Sequence, residues 1–105
     1  MSLVTTHVLD TAQGRPAAGI AVRLETGEGK PIAEGVTDDD GRIRDLGPDT
    51  LEGGVYRLIF GTGAYLGADA FFPEVALTFR ITDPAAHHHV PLLLSPFAYS
   101  TYRGS

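Results

Sequence analysis

EVALTFRIT (residues 74–82) alternates with a period of two: Val75, Leu77, Phe79 and Ile81 fall on one side, and Ala76, Thr78 and Arg80 on the other. Successive side chains of a strand point to opposite faces, so the pattern describes a strand with its apolar side on a core. GVYRLIFG (54–61) repeats it, with Tyr56, Leu58 and Phe60 opposite Val55, Arg57 and Ile59. Outward from this pair, six more segments carry the β-branched and apolar residues of strands: LVTTHVLD (3–10), IAVRLET (20–26), PIAEGVT (31–37), RIRDL (42–46), HHVPLLLS (88–95) and AYSTYRG (98–104). The breaks between them have turn chemistry. TGEGKP supplies glycine, DDDG an Asp-Gly turn, and DPA and SPF proline at loop positions. Thirteen glycines and seven prolines punctuating short alternating segments indicate an all-β fold, and eight strands suit a sandwich of two sheets. At most one short helix is expected, over residues 65–70, with Pro73 stopping it.

The 105 residues suit one domain over 1–105, with no repeat, low-complexity tract or linker to divide it. The absence of cysteine excludes disulfides, thiolate metal sites and cysteine nucleophiles. The net charge of −5, with no stripe of Lys or Arg, argues against a nucleic-acid partner, because phosphate binding needs clustered cations. MSLVTTHVLD lacks the basic and apolar regions of a leader, and no window approaches the roughly 20 apolar residues of a membrane span. A cytoplasmic protein without a membrane partner is expected. Asp38, Asp39 and Asp40 form the only acidic run, and without the closing glutamate of a calcium loop they read as a solvated turn.

Chemistry is concentrated in few places. Within AAHHHVPLLLSP, alternation puts His87 and His89 on one face and His88 on the other, so at most two can converge. His7 interrupts the apolar pattern of LVTTHVLD, and Arg42 stands directly after DDDG. Each has an ordinary reading: a strand-end histidine, a histidine bonded to backbone, a solvated arginine. His7, His87 and His89 with a water would make a zinc arrangement, but H-x-H spacing is not specific, and no metal or other cofactor is expected. In the final YSTYRGS, Arg-Gly-Ser looks like a vector remnant or a frayed end. No G-x-S-x-G, P-loop, G-x-G-x-x-G or H-E-x-x-H occurs. Histidine, arginine, serine, tyrosine and carboxylates remain, a set suited to hydrolysis of an already electrophilic substrate by activated water.

Taken together, LVTTHVLDTAQGRPAAGIAVRL, DDDGR and FFPEVALTFRITDPAAHHHVPLLLSPFAYSTYRGS resemble the 5-hydroxyisourate hydrolases, the transthyretin-related enzymes of urate breakdown. The resemblance extends from about Leu3 to Ser105 and includes the Tyr-Arg-Gly-Ser end. It implies a prealbumin-like sandwich of two four-stranded sheets, assembled as a homotetramer, a dimer of dimers with its sites in the channel between dimers. It implies catalytic roles for His7, Arg42, His89 and Ser105, and substrate binding by His7, Arg42, Tyr102, Arg103, Gly104 and Ser105. The implied substrate is 5-hydroxyisourate, opened at its N1–C6 amide bond without a metal. Transthyretin carries thyroid hormone in the equivalent channel but lacks the Tyr-Arg-Gly-Ser end and the histidine pair, which favours an enzyme over a carrier. The terminal segment is accordingly expected to be an ordered last strand leading into the pocket.

Overall fold

Among the described residues, nine strands and one helix follow each other: β1 (Val4–Asp10), β2 (Arg15–Pro16), β3 (Ala21–Thr26), β4 (Pro31–Val36), β5 (Arg42–Ile43), β6 (Gly54–Phe60), α1 (Thr62–Leu66), β7 (Val75–Ile81), β8 (His88–Ser95) and β9 (Ala98–Thr101). The computed structural model describes residues 2–105. Two sheets form the expected sandwich. One runs β4-β3-β6-β7 and is antiparallel throughout. In the other, β1 pairs parallel with β8, and β8 pairs antiparallel with β9.

The remaining edge of β1 is shared. Arg42–Ile43 pairs with Thr6–His7, and Arg15–Pro16 pairs with Leu9–Asp10, so two short strands occupy the place of one fourth strand. RIRDL therefore contributes two residues of strand rather than five. The chain then turns away, because Leu46 is fully buried and its N–H donates to Ser2 Oγ at 2.8 Å. The helix lies earlier than expected, over Thr62–Leu66, and ends at Gly67, whose φ of +113° disfavours continuation by other residues. Five residues make a helix that depends on packing. Thr62 Oγ1 donates to the Phe72 carbonyl at 2.6 Å, and the Tyr65 hydroxyl donates to Asp10 Oδ2 at 2.7 Å. No helix among the described residues is long and apolar enough to cross a membrane.

Alternation decides what each face does. Tyr56, Leu58 and Phe60 of β6 and Val75, Leu77 and Ile81 of β7 are buried against Val4 and Val8 of β1 and Val90, Leu92 and Leu94 of β8. Each such aliphatic or aromatic side chain contributes about 1.5–3 kcal/mol when fully buried. The odd-numbered residues of β1 and β8 are thereby turned to the outer face of their sheet.

The loop before β3 is tied to the end of β4 by Thr37, which is only 4% exposed. Its hydroxyl donates to the Ala17 carbonyl at 2.8 Å and accepts from the Ile20 N–H at 2.9 Å. Thr37→Val keeps the shape but strands both buried partners. The expected result is a loss of about 2 kcal/mol of folding stability, read from the urea midpoint. An unchanged midpoint would show that solvent reaches those groups.

Candidate active site

The outer face of β1 presents Thr5 and His7 two residues apart, and its neighbours bring the rest. Parallel pairing sets His89 opposite Thr5, and antiparallel pairing sets Arg42 opposite His7. Arg42 is held by the turn before it. Asp38 Oδ1 accepts the backbone N–H groups of Asp40 and Arg42, both at 2.9 Å, and the Asp38 N–H donates to the Arg42 carbonyl at 3.0 Å. The bond from the Arg42 backbone is foremost in holding the Asp38 carboxyl below its usual range. Gly41 closes the turn at φ +74°, and a Cβ there would collide with the Val8 carbonyl. That same close approach lets the Val8 N–H donate to the Gly41 carbonyl at 2.7 Å.

A cavity of about 170 Å³ results, lined by Thr5, Thr6, Arg42, Arg44, His89 and Ser105, with His87 and Ile43 completing it. Arg42 makes no ion pair among the described residues, so its charge is available to the cavity. Ser105 arrives because Gly104 forms a single antiparallel bridge to His89, its N–H donating to the His89 carbonyl at 2.8 Å. The regular strand stops earlier, at Thr101.

His87 and His89 share a face, with ring centroids 6.3 Å apart. Thr5 Oγ1 bonds to both, at 2.9 Å from His87 Nε2 and 2.8 Å from His89 Nδ1. His88 points the other way and is 2% exposed. Its Nδ1 donates to the Ala86 carbonyl at 2.7 Å, leaving a buried Nε2 without a partner among the described residues.

Burial, and after it the Arg42 guanidinium, push the pKa of His89 below the ordinary 6.5, and the charges of His87 and His7 act in the same direction. Burial and then Arg42 also lower His7, against a hydrogen bond to the Asp40 backbone and the carboxylates of Asp38 and Asp40. Both imidazoles are thus neutral near pH 7 and able to accept a proton. Neutral imidazole beside an unpaired guanidinium is a pairing for activating water while stabilising an oxyanion.

The structure brings Arg42, His89 and Ser105 together at the cavity and places His7 beside Arg42, outside the lining residues. Gly104 lies against the His89 ring. Tyr102 and Arg103 line a different cleft of about 330 Å³, with Leu77, Phe79, His88 and Val90. Among the described residues no three of His, Asp and Glu are grouped so as to hold a metal ion. Sequence reasoning passed over Thr5. Alternation already put it on the face of His7, but its contact with both histidines depends on the pairing of β1 with β8.

The model of the HIUase/Transthyretin family matches residues 4–104. A 5-hydroxyisourate hydrolase of Caulobacter vibrioides is 44% identical over 115 residues, covering 100% of both chains. The structure of Klebsiella pneumoniae 5-hydroxyisourate hydrolase superposes with a TM-score of 0.88 at 38% identity, over 97% of this chain and 98% of that one. Sea bream transthyretin in complex with thyroxine superposes with a TM-score of 0.85 at 33% identity, over 96% and 93%. With residues 4–104 matched by the family model and the sandwich superposed over nearly its full length, this chain belongs to the HIUase/Transthyretin family.

Proposed function

We propose that this protein hydrolyses 5-hydroxyisourate to 2-oxo-4-hydroxy-4-carboxy-5-ureidoimidazoline, a step of urate degradation. The observation that carries the reading is a His89 ring kept neutral in one cavity with an unpaired Arg42 and Ser105, in a chain that matches 5-hydroxyisourate hydrolases along its whole length. His89, with His7, accepts a proton from water as its oxygen bonds to C6. Arg42 faces the oxyanion that develops on C6. The C6–N1 bond then breaks, N1 leaves with a proton, and C6 remains on the five-membered ring as a carboxylate. Ser105 orients the substrate from the end of the last segment, and Gly104 holds that segment on His89. Tyr102 and Arg103 bind substrate only in a shared channel, since in one copy they face another cleft.

The working form in this proposal is a cytoplasmic homotetramer, a dimer of dimers. The edges of β7 and β9 support it. Each ends its sheet, and the cleft between them is lined largely by Leu77, Phe79, Val90 and Tyr102. Unpaired strand edges beside apolar surface favour pairing with another copy. The site residues stand on the outer face of a sheet, where a second dimer would enclose them.

Ultraviolet spectra following freshly made 5-hydroxyisourate, with and without protein, test the reading. Faster loss with protein is expected, whereas a carrier of the transthyretin kind would bind without turnover. The pH dependence has a definite sign. A lowered histidine pKa keeps the base unprotonated to lower pH, so kcat/KM should stay level through neutrality and fall only below pH 6.5. A fall centred at or above 6.5 would remove His7 and His89 as the bases.

A further inference from the structure

We propose that Thr5 is a positioning residue whose hydroxyl couples His87 to His89 and relays protons between the cavity and solvent. The inference rests on the hydrolase reading above. Its geometric basis is one hydroxyl, on a residue 4% exposed, at 2.9 Å and 2.8 Å from two ring nitrogens. The neighbouring Thr6 is differently committed, because its hydroxyl donates to the Val90 carbonyl at 2.6 Å.

A hydroxyl has one proton to donate and lone pairs to accept with. If Thr5 donates to His89 Nδ1, His87 Nε2–H must donate to Thr5. Both rings then carry their proton on Nε2. If Thr5 donates to His87 Nε2, His89 Nδ1–H donates to Thr5, and both rings carry their proton on Nδ1. When both rings are neutral, the two histidines are therefore locked into the same tautomer. Only the second arrangement leaves His89 Nε2 with a free lone pair, and that nitrogen has no protein partner among the described residues.

Water activation starts from that second arrangement. His89 Nε2 takes a proton from water, and the His89 Nδ1 proton moves to Thr5 Oγ1. The original Thr5 proton moves to His87 Nε2, and His87, an exposed residue in one copy of the chain, releases its Nδ1 proton to the water of the channel. One proton leaves the cavity, no bond between heavy atoms changes in the relay, and both rings end with hydrogen on Nε2. The reverse sequence delivers a proton from solvent to the leaving nitrogen and restores the second arrangement, with hydrogen on Nδ1 of both rings. Arg42 opposes a lasting positive charge on His89, so moving the charge outward to His87 suits the field of the site.

The test compares wild type with Thr5→Val, which keeps the shape but loses the hydroxyl, and Thr5→Ser, which keeps it. Thr5→Val is expected to lower kcat by about 10- to 100-fold with KM within about twofold, and Thr5→Ser to recover most of the loss. In mixtures of H2O and D2O, the rate of wild type should curve with deuterium content, as several protons in flight require, and that of Thr5→Val should become linear. Nitrogen-15 NMR of the substrate-free protein should show His87 and His89 in matching tautomers, unlinked in Thr5→Val. Opposite tautomers in wild type, or Thr5→Val at wild-type kcat, would overturn the relay. If wild type fails to turn over 5-hydroxyisourate, the hydrolase reading falls, and the tautomer measurement still decides whether the hydroxyl couples the rings.

Discussion

His89→Ala and Arg42→Ala are each expected to lower kcat/KM on freshly prepared 5-hydroxyisourate by about 10² or more, with the sandwich still folded. The two losses have different origins. His89→Ala removes the ring that Thr5 orients and that burial and Arg42 keep neutral, so it takes away a proton acceptor already in the right state. Arg42→Ala removes the charge that meets the oxyanion, and preorganised donors of that kind commonly account for about 10²–10³ in kcat. It also removes one cause of the lowered pKa of His7 and His89. The residual activity of Arg42→Ala should therefore fall off at a higher pH than that of wild type, because both histidines protonate sooner as pH drops. Neither side chain belongs to the apolar core, so melting temperatures should move little. Retention by either variant of more than about a tenth of wild-type kcat/KM would remove that residue from the chemistry.

Much of this arrangement can be read from residues alone, for reasons local to each strand. Val75, Leu77 and Ile81 face inward because a period of two leaves them no other side, and the same rule sets His87 and His89 on one face with His88 on the other. Arg15–Pro16 is different. Two residues carry no period, and a proline discourages a strand assignment, so β2 exists only because β1 offers it an edge. The shift of the helix to Thr62–Leu66 is of the same kind, since Tyr65 is anchored by Asp10, 55 positions away in sequence. Thr5 shows where the limit falls for the site. A threonine in a strand is unremarkable until the parallel register of β1 and β8 sets His89 beside it, and register between distant strands is a property of the assembled core.

The final segment is where a single methyl group should have a large effect. Gly104 is the residue through which residues 102–105 meet the site, and its N–H holds the His89 carbonyl. Its φ is not positive, so alanine at this position brings no backbone strain of its own. The cost is steric: a Cβ on Gly104 would stand 2.5 Å from His89 Cδ2 and 3.2 Å from Cγ. The ring cannot yield freely, because Thr5 holds Nδ1 at 2.8 Å. Either the imidazole swings away from Thr5 and loses its orientation, or the bridge opens and carries Ser105 out of the cavity. Overpacking of this kind typically costs about 1–3 kcal/mol, and here the strain falls on the base rather than on the core. Gly104→Ala is therefore expected to lower kcat/KM by about 10- to 100-fold with little change in melting temperature. The His89 nitrogen-15 signals distinguish the two routes: they shift if the ring has left Thr5 and stay if only the tail has moved. Wild-type turnover by Gly104→Ala would mean that the segment after Thr101 packs on His89 without serving it, and the terminal residues would then have no part in holding the base.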